Sequence, residues 1–291
     1  MTDIKTIAQG IARLKPIPQS FHQIMALARD PDADMPRLAE AVSRDPVLTA
    51  NLLKDANSSY YGRPGKFETV HQAVVFLGTA EVFNLVLMAG CRDTLSRAQA
   101  AYDLDVGGLW RYSLSSAMLA RAVALKTNLA NAQLVFTVGM IKDIGKVVLS
   151  QYVSEAYEQI RALVDTGGHS FREAEKAVLG IDHAELGAMV AQLWRFNPKM
   201  VQMVRHHHQP LLCEAATRET AAVYMGDLLC MMVGSGVGAD GLAYRYQQPV
   251  VDLLGLSPTD IQLLLVDFEG QMARMAELFD SGNTVAAAQE K

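Results

Sequence analysis

Helix-start signals recur along the chain and constrain its fold more than any other sequence feature. A capping side chain precedes a proline at three places: Asp45-Pro46, Asn197-Pro198 and Ser257-Pro258. Such a side chain accepts hydrogen bonds from the first free amides of a helix, and proline is favoured at the first helical position. The spacing of a capping box occurs at Thr69–Gln72 and Asp182–Glu185. These signals predict helices that begin at widely separated points.

The spacing of apolar residues also favours helices. After Ser257, apolar side chains recur every three or four residues, which places them along one face of a helix: Ile261, Leu264, Leu265, Phe268, Met272, Met275 and Phe279. Alternating strand-like runs between tight turns are nearly absent. Apolar residues make up 50% of the chain and charged residues 20%, which is enough apolar material for a packed core. We therefore expect an all-α, multi-helical fold.

Two stretches of the chain suggest internal boundaries. Residues 58–69 are rich in turn formers, and residues 91–108 are more polar and end in two glycines. We place a smaller N-terminal helical lobe at residues 1–90 and a larger helical lobe at residues 91–280. The small and polar residues 281–291 are expected to fray.

Charge and apolar segments exclude some classes of partner. The 26 basic and 31 acidic residues give a net charge of −5, which disfavours binding to nucleic-acid phosphates. The segment nearest to a membrane span is Thr220–Ala239, but Asp227 lies in its middle. A carboxylate there costs about 2.5–3.5 kcal/mol on insertion. We therefore expect a buried helix followed by a turn, and no membrane partner.

The cysteines and the N-terminus favour a cytoplasmic location. Cys91, Cys213 and Cys230 are odd in number and far apart, which is typical of reduced thiols. The first residues lack the apolar run of a signal peptide.

Histidines and carboxylates gather in four segments that could carry chemistry. They are residues 141–146, residues 181–187, residues 205–210 and the surroundings of Asp227. In an all-helical protein, such groups on separate helices can converge on a metal inside the bundle. The alternative for the consecutive histidines His206, His207 and His208 is a solvated helix end, where a charged imidazole favours the helix dipole.

Three blocks follow one another in the N-terminal part of the chain: Asp45–Leu48, Leu52–Gly62 and Val70–Gly78. Four more lie further on: Leu109–Ser113, Lys142–Lys146, Asp182–Gly187 and His207–Pro210. The first three blocks resemble, in order and spacing, the motifs of the HDOD family, the HD-related output domains of bacterial signalling proteins, and the other four resemble the HD half of that family. The resemblance covers roughly residues 10–235. It implies a smaller N-terminal helical lobe and an HD-like helical bundle.

The resemblance also allows the metal ligands of active HD phosphohydrolases to be compared one by one. Those enzymes have a first histidine, an adjacent His-Asp pair and a late aspartate, and binuclear relatives add further histidines. Here Tyr112 stands at the first histidine and Lys142 at the histidine of the pair, while Asp143 and Asp227 match the aspartates. The positions of the additional histidines are matched by His183 and by His207 or His208.

The two replacements lead to a hypothesis about charge. An ammonium group has no open coordination site and repels a metal ion, and a tyrosine is a poor metal ligand at neutral pH. We hypothesise that Lys142 replaces the metal as the positive centre, paired with Asp143, Asp227 or both. Lys146 matches a family lysine that could contact phosphate, and the alternative is a surface lysine at a helix turn.

The site is therefore expected to be degenerate, with no catalytic residue and no cofactor. A second possibility is one divalent metal held by the remnant set of Asp143, His183, His207 and His208. The resemblance implies a non-catalytic regulatory module that acts through contacts with other signalling proteins, and the two lost ligands support this expectation. The alternative is a metal-dependent phosphohydrolase or a sensor of a nucleotide or cyclic dinucleotide. The sequence leaves a homodimer open.

Overall fold

The computed structural model of the protein describes residues 7, 10–11, 23–24, 27, 35–62, 65–235, 238 and 246–289. Within these ranges the chain is helical, and its only strand-like feature is an isolated bridge between Gln99 and Leu104. The predicted all-α fold is therefore confirmed. The chain divides into a larger unit, residues 1–15 with 94–269, and a smaller unit, residues 16–93 with 270–291. The sequence-based boundaries at residues 90 and 280 stay a prediction.

Among the ranges described without a break, four helices begin in the smaller unit: α1 (Met35–Ser43), α2 (Pro46–Ala56), α3 (Val70–Leu77) and α4 (Thr79–Leu95). The predicted caps start two of them. The Asp45 side chain accepts hydrogen bonds from the first amides of α2, and the Thr69 hydroxyl accepts one from Gln72 N of α3. These bonds satisfy amide groups that have no partner inside the helix.

The loop between α2 and α3 is fixed by Asn57, which lies in one of the family-like blocks. Asn57 Nδ2 donates to Phe67 O at 3.0 Å, and Phe67 N donates to Asn57 Oδ1 at 2.7 Å. Gly62 ends a short helical turn at a φ of 57°, which glycine adopts with little strain. This part of the motif therefore has a structural role.

A buried ion pair joins two helices of the smaller unit. The Arg92 guanidinium on α4 donates to the Asp55 carboxylate on α2, and both side chains are buried. Both charges are removed from water. Loss of either partner would therefore leave the other charge buried and unpaired, which destabilises the fold.

The larger unit holds the remaining helices: α5 (Gly108–Lys126), α6 (Ala132–Ile141), α7 (Ile144–Gly167), α8 (Phe171–Leu179), α9 (His183–Leu193), α10 (Pro198–Arg205), α11 (Thr217–Met232), α12 (Gln248–Leu254) and the start of α13 (Pro258–Gln289). The predicted frayed tail overlaps the end of α13, residues 290–291 lie outside the described ranges, and the fraying stays a prediction.

Glycines bring three helices of the larger unit close together. A Cβ on Gly226 of α11 would lie 2.4 Å from Ala120 N of α5, and a Cβ on Gly139 of α6 would lie 2.7 Å from Ala117 Cα. Helix α5 therefore packs closely against both α6 and α11. This packing places Tyr112 of α5 near Asp227 of α11 and near the end of α6.

A second close approach joins the starts of α7 and α9. A Cβ on Gly145 would lie 2.0 Å from His183 O and 2.6 Å from Gly187 N. Only glycine fits there, because the obstructing atoms belong to the backbone. The contact sets His183 beside Asp143, the residue that precedes α7.

The three cysteines are buried and free of disulfides. Among the described residues, no single helix is long and apolar enough to cross a membrane. The helices Gln248–Leu254 and Pro258–Met272 pass the same test of length and composition only as a pair, bent by 86°.

Candidate functional site

Lys142 lies at the centre of a buried cluster of charges in the larger unit. It follows the last residue of α6, and its side chain is fully buried. Its Nζ contacts the Asp143 carboxylate and lies 2.5 Å from Asp227 Oδ1. Lys146 Nζ lies 2.8 Å from the other Asp143 oxygen, Oδ1. Two ammonium groups therefore neutralise two carboxylates without solvent.

Tyr112 completes this part of the cluster. Its hydroxyl donates to Asp227 Oδ1 at 2.7 Å, and Ser116 Oγ donates to the same oxygen at 3.3 Å. The Tyr112 ring also faces both ammonium groups, with its centroid 4.6 Å from Lys142 Nζ and 5.4 Å from Lys146 Nζ. An aromatic face attracts a cation, so the ring stabilises the charged lysines.

The pKa values of this cluster favour the charged forms. Burial alone lowers the pKa of Lys142, but the carboxylates of Asp143 and Asp227 reverse this effect and raise it. Burial likewise acts to raise the pKa of Asp143, but the ammonium groups of Lys142 and Lys146 outweigh it and hold that pKa well below its usual value. The cluster is therefore an ionic arrangement at neutral pH.

His183 begins α9 and is oriented by a buried carboxylate. Its Nδ1 lies 2.7 Å from Glu175 Oε2, and its backbone amide donates to the same oxygen at 2.9 Å. The Tyr102 hydroxyl donates to Glu175 Oε1 at 2.6 Å. Burial lowers the pKa of His183, but the Glu175 carboxylate outweighs burial and raises it. Glu175 thus holds the ring through Nδ1, and Nε2 is on the side of His208.

His207 and His208 lie beside His183. His207 Nδ1 lies 2.7 Å from Val204 O, and its Nε2 is buried without a hydrogen bond. Burial lowers the pKa of His207 to about 3, so its ring is neutral. His208 Nε2 lies 2.8 Å from His183 Nε2, and burial together with the neighbouring imidazoles lowers the pKa of His208 well below 6.5.

The histidine group meets the lysine group at Asp143. Asp143 Oδ1 lies 3.7 Å from His183 Nε2 and 3.9 Å from His207 Nε2. This oxygen makes no hydrogen bond of good geometry, although Lys146 Nζ is 2.8 Å away. Asp227 Oδ2 is also buried without a hydrogen bond. The structure thus brings together the candidate residues assigned from sequence: Tyr112, Lys142, Asp143, Lys146, His183, His207, His208 and Asp227.

A comparison with known families now identifies the fold. The sequence profile of the HDOD domain matches residues 14–210. The chain belongs to the HDOD family. A curated, uncharacterized protein from Treponema pallidum (strain Nichols) is 22% identical over 207 residues, which are 70% of this chain and 39% of that protein. This HDOD chain therefore spans about two fifths of the length of that relative.

Solved structures share the fold. An HDOD domain protein of unknown function from Geobacter sulfurreducens is 24% identical, with a TM-score of 0.69 over 98% of both chains. A protein from Shewanella amazonensis SB2B, provisionally named a phosphohydrolase, is 22% identical, with a TM-score of 0.71 over 96% of this chain and 97% of that one. A Marinobacter aquaeolei VT8 protein, provisionally named a signal transduction protein, is 22% identical, with a TM-score of 0.71 over 94% of this chain and 60% of that one.

The two sides of Asp143 in this HDOD chain differ in how they would fit a metal ion. On the lysine side, the Lys142 ammonium already contacts both carboxylates, Asp143 and Asp227. An ammonium group has no lone pair to donate, so this side does not fit a metal. On the histidine side, one ring nitrogen from each of His183, His207 and His208 lies within 4.8 Å of the others. Neutral imidazoles suit zinc, copper, iron and nickel, so this side does fit.

The structure differs from two of the alternatives considered from sequence. Lys146 is buried against Asp143 and is not a surface lysine. The three consecutive histidines do not form one solvated helix end, because His207 is fully buried and His208 is half-buried. His206 is also half-buried, and the charged neighbours that affect its pKa are Arg205, Arg172 and Asp182, none of which belongs to the cluster.

Three functional side chains were missed by the sequence analysis: Tyr102, Ser116 and Glu175. Glu175 lies on the buried face of α8, together with Phe171, Ala174 and Leu179. A carboxylate that shares the spacing of an apolar stripe is a signal of burial, and it could have identified Glu175. Tyr102 and Ser116 carry no comparable signal, since hydroxyl-bearing residues occur on both faces of helices.

Proposed function

We propose that this HDOD chain is a non-catalytic regulatory module that acts through contacts with other signalling proteins in the bacterial cytoplasm. One observation carries the proposal. The Lys142 ammonium lies between the carboxylates of Asp143 and Asp227, where the HD resemblance puts a metal ion. A covalently attached cation cannot dissociate, exchange or present an open coordination position.

The chemistry of the replacement supports the loss of hydrolysis. A metal activates water because bound water loses its proton near pH 7, and an ammonium group gives no such effect. The raised pKa of Lys142, which follows from its two carboxylate neighbours, also removes it as a base. The Tyr112 hydroxyl donates its proton to a hydrogen bond with Asp227, so it does not serve as a metal ligand. The lysine side of the cluster therefore stabilises the bundle.

A metal-dependent phosphohydrolase remains the second candidate, and the histidine group is the observation that favours it. His183, His207 and His208 converge beside Asp143, so a metal there would adjoin a carboxylate. The names of the structural relatives do not decide between the candidates, because they include both functions. The two candidates differ in one measurable property, which is turnover.

A turnover assay tests the proposal. Tag-free protein, purified without chelators, is incubated with Mn²⁺ or Fe²⁺ and with a nucleotide or a cyclic dinucleotide, and released phosphate and linear product are measured. We expect no turnover above that of Asp143→Asn, which removes the shared carboxylate charge at nearly constant shape. Asp252→Asn, on the exposed side of α12, is the matched control. Turnover that survives in Asp252→Asn and disappears in Asp143→Asn contradicts the proposal.

A further inference from the structure

The histidine group has its ring protons placed by neighbouring acceptors. A carboxylate and a carbonyl oxygen can only accept, so Glu175 Oε2 and Val204 O fix a proton on Nδ1 of His183 and His207. Each neutral ring then carries its lone pair on Nε2. Both of these atoms lie within 4 Å of Asp143 Oδ1. This is the arrangement in which an outer acceptor orients a histidine for a metal.

His208 completes the group. Its Nε2 lies 2.8 Å from His183 Nε2, so a single proton joins the two nitrogens when no metal is bound. Nitrogen ligands at about 2.0–2.1 Å from a tetrahedral zinc ion are about 3.4 Å apart. His183 and His208 must therefore separate slightly to bind a shared metal, and His207 offers its ring nitrogen within 4.8 Å of both.

The charges around the histidines favour a cation. Two ammonium groups, Lys142 and Lys146, face three buried carboxylates, Asp143, Asp227 and Glu175. The fixed groups therefore sum to one negative charge. His207 Nε2 is buried without a hydrogen bond and lies 3.9 Å from Asp143 Oδ1, which Lys146 Nζ approaches at 2.8 Å.

We propose that His183, His207 and His208 bind one nitrogen-preferring divalent cation of the zinc class beside Asp143. Glu175 is the residue that positions His183 for it. The set differs from a binuclear HD site because it lacks the lysine side, where the Lys142 ammonium contacts the carboxylates of Asp143 and Asp227. Of the two possibilities considered from sequence, no cofactor or a single divalent metal ion, this proposal favours the metal ion. The cation would link the start of α9 to the turn after α10. The proposal does not depend on whether the chain hydrolyses a substrate.

Metal binding is measured on tag-free protein. The protein is stripped with chelator, and Zn²⁺, Mn²⁺ and Mg²⁺ are titrated separately by calorimetry. We expect one equivalent of Zn²⁺ to bind and the melting temperature to rise, whereas Mg²⁺, which prefers oxygen ligands, has no effect. Failure of the wild-type protein to bind Zn²⁺, or equal binding of Mg²⁺, overturns the proposal.

The row of histidines supplies a matched control. His207→Gln removes a proposed ligand, and His206→Gln alters the adjacent histidine, which is not among the three converging histidines. We expect His207→Gln to abolish stoichiometric binding and His206→Gln to retain it. Glu175→Gln should weaken binding by about 10–100-fold, the usual cost of losing an outer-shell partner. Equal losses in His206→Gln and His207→Gln overturn the assignment.

X-ray absorption of the zinc-loaded wild-type protein gives a reading that does not depend on the folding of any variant. We expect the spectrum to show three imidazole ligands. A spectrum with fewer than three imidazoles, or with sulfur ligands, contradicts the proposed site.

Discussion

Two groups of buried charges, one in each unit, respond to burial in opposite ways. In the smaller unit, Asp55 faces one guanidinium, that of Arg92, and burial outweighs this partner and raises the pKa of Asp55. In the larger unit, Asp143 is equally buried, but the ammonium groups of Lys142 and Lys146 outweigh burial and hold its pKa far below the usual value. The number of nearby cations, and not the depth of burial, decides which form of the carboxylate is favoured.

The difference separates a structural pair from an interlocked cluster. The Arg92 and Asp55 charges balance each other, so apolar side chains of similar volume can replace both at little cost. Asp143 and Asp227 share Lys142, and Asp143 also contacts Lys146 and the histidines. Removing Lys142 alone therefore affects two carboxylates at once, and removing Asp143 alone leaves Lys146 without its carboxylate partner. This interdependence is typical of a site that once served, or still serves, a chemical role.

The largest expected effect comes from removing the shared cation. Lys142→Met leaves the carboxylates of Asp143 and Asp227 with too little positive charge, and we expect a loss of about 3–5 kcal/mol in the free energy of unfolding. Chemical denaturation measures this loss. Lys176→Met is the control, because Lys176 is half-exposed and its pair with Glu185 is worth about 0–1 kcal/mol. An unchanged denaturation midpoint for Lys142→Met would show that Lys142 is not the positive centre.

The cluster also depends on a backbone contact, which the pair in the smaller unit does not require. Gly145→Ala places a Cβ 2.0 Å from His183 O, so α7 and α9 must separate. We expect a loss of about 3 kcal/mol, the upper end for overpacking. Gly270→Ala in α13 meets no atom within 4 Å and should instead stabilise the protein by about 0.5–1 kcal/mol. Thermal unfolding of the two variants checks the difference, and an equal response contradicts the close approach.

Most of this fold, and most residues of the site, could be predicted from the sequence. Caps at Asp45, Thr69 and Asn197 were predicted because a cap is made by neighbours in sequence. The contact of Gly145 with His183 could not be predicted, because it depends on which helix packs opposite. The burial of Lys146 was also missed, since a lysine at a helix start is usually exposed.

The Tyr112 hydroxyl tests how much a neutral donor adds to the cluster. Tyr112→Phe removes its hydrogen bond to Asp227 and keeps the aromatic ring over the lysines. A hydrogen bond to a charged group contributes about 1.5–3 kcal/mol, so we expect a loss of about 2 kcal/mol in the free energy of unfolding. Urea denaturation measures it. A loss as large as that of Lys142→Met would mean that the hydroxyl, and not the ammonium, holds Asp227.

The opposite pKa shifts of Asp143 and Asp55 predict opposite effects of acid. The pKa of Asp143 is lowered on folding, so its stabilisation is present above its unfolded value of about 3.9 and is lost as the pH falls towards the folded value. The pKa of Asp55 is raised, so its protonation favours the folded state between about 3.9 and the higher folded value.

The slope of stability against pH, measured below pH 6, separates the two residues. Asp143→Asn should make the loss of stability in acid shallower, and Asp55→Asn should make it steeper. Because the slope and not the absolute stability is compared, the cost of each substitution at neutral pH does not enter. A slope that changes in the same direction for both variants contradicts the comparison.

The smallest expected effect comes from replacing the whole pair in the smaller unit. Arg92→Met alone should cost about 3–5 kcal/mol, because it leaves the Asp55 carboxylate buried and unpaired. The double variant with Asp55→Leu should recover most of this loss and return near the wild-type stability. The equivalent double change in the larger unit, Lys142→Met with Asp227→Leu, should recover less, because Asp143 keeps Lys146 but loses the Lys142 ammonium that also contacts it. Equal recovery in both units would reduce the cluster to two ordinary ion pairs.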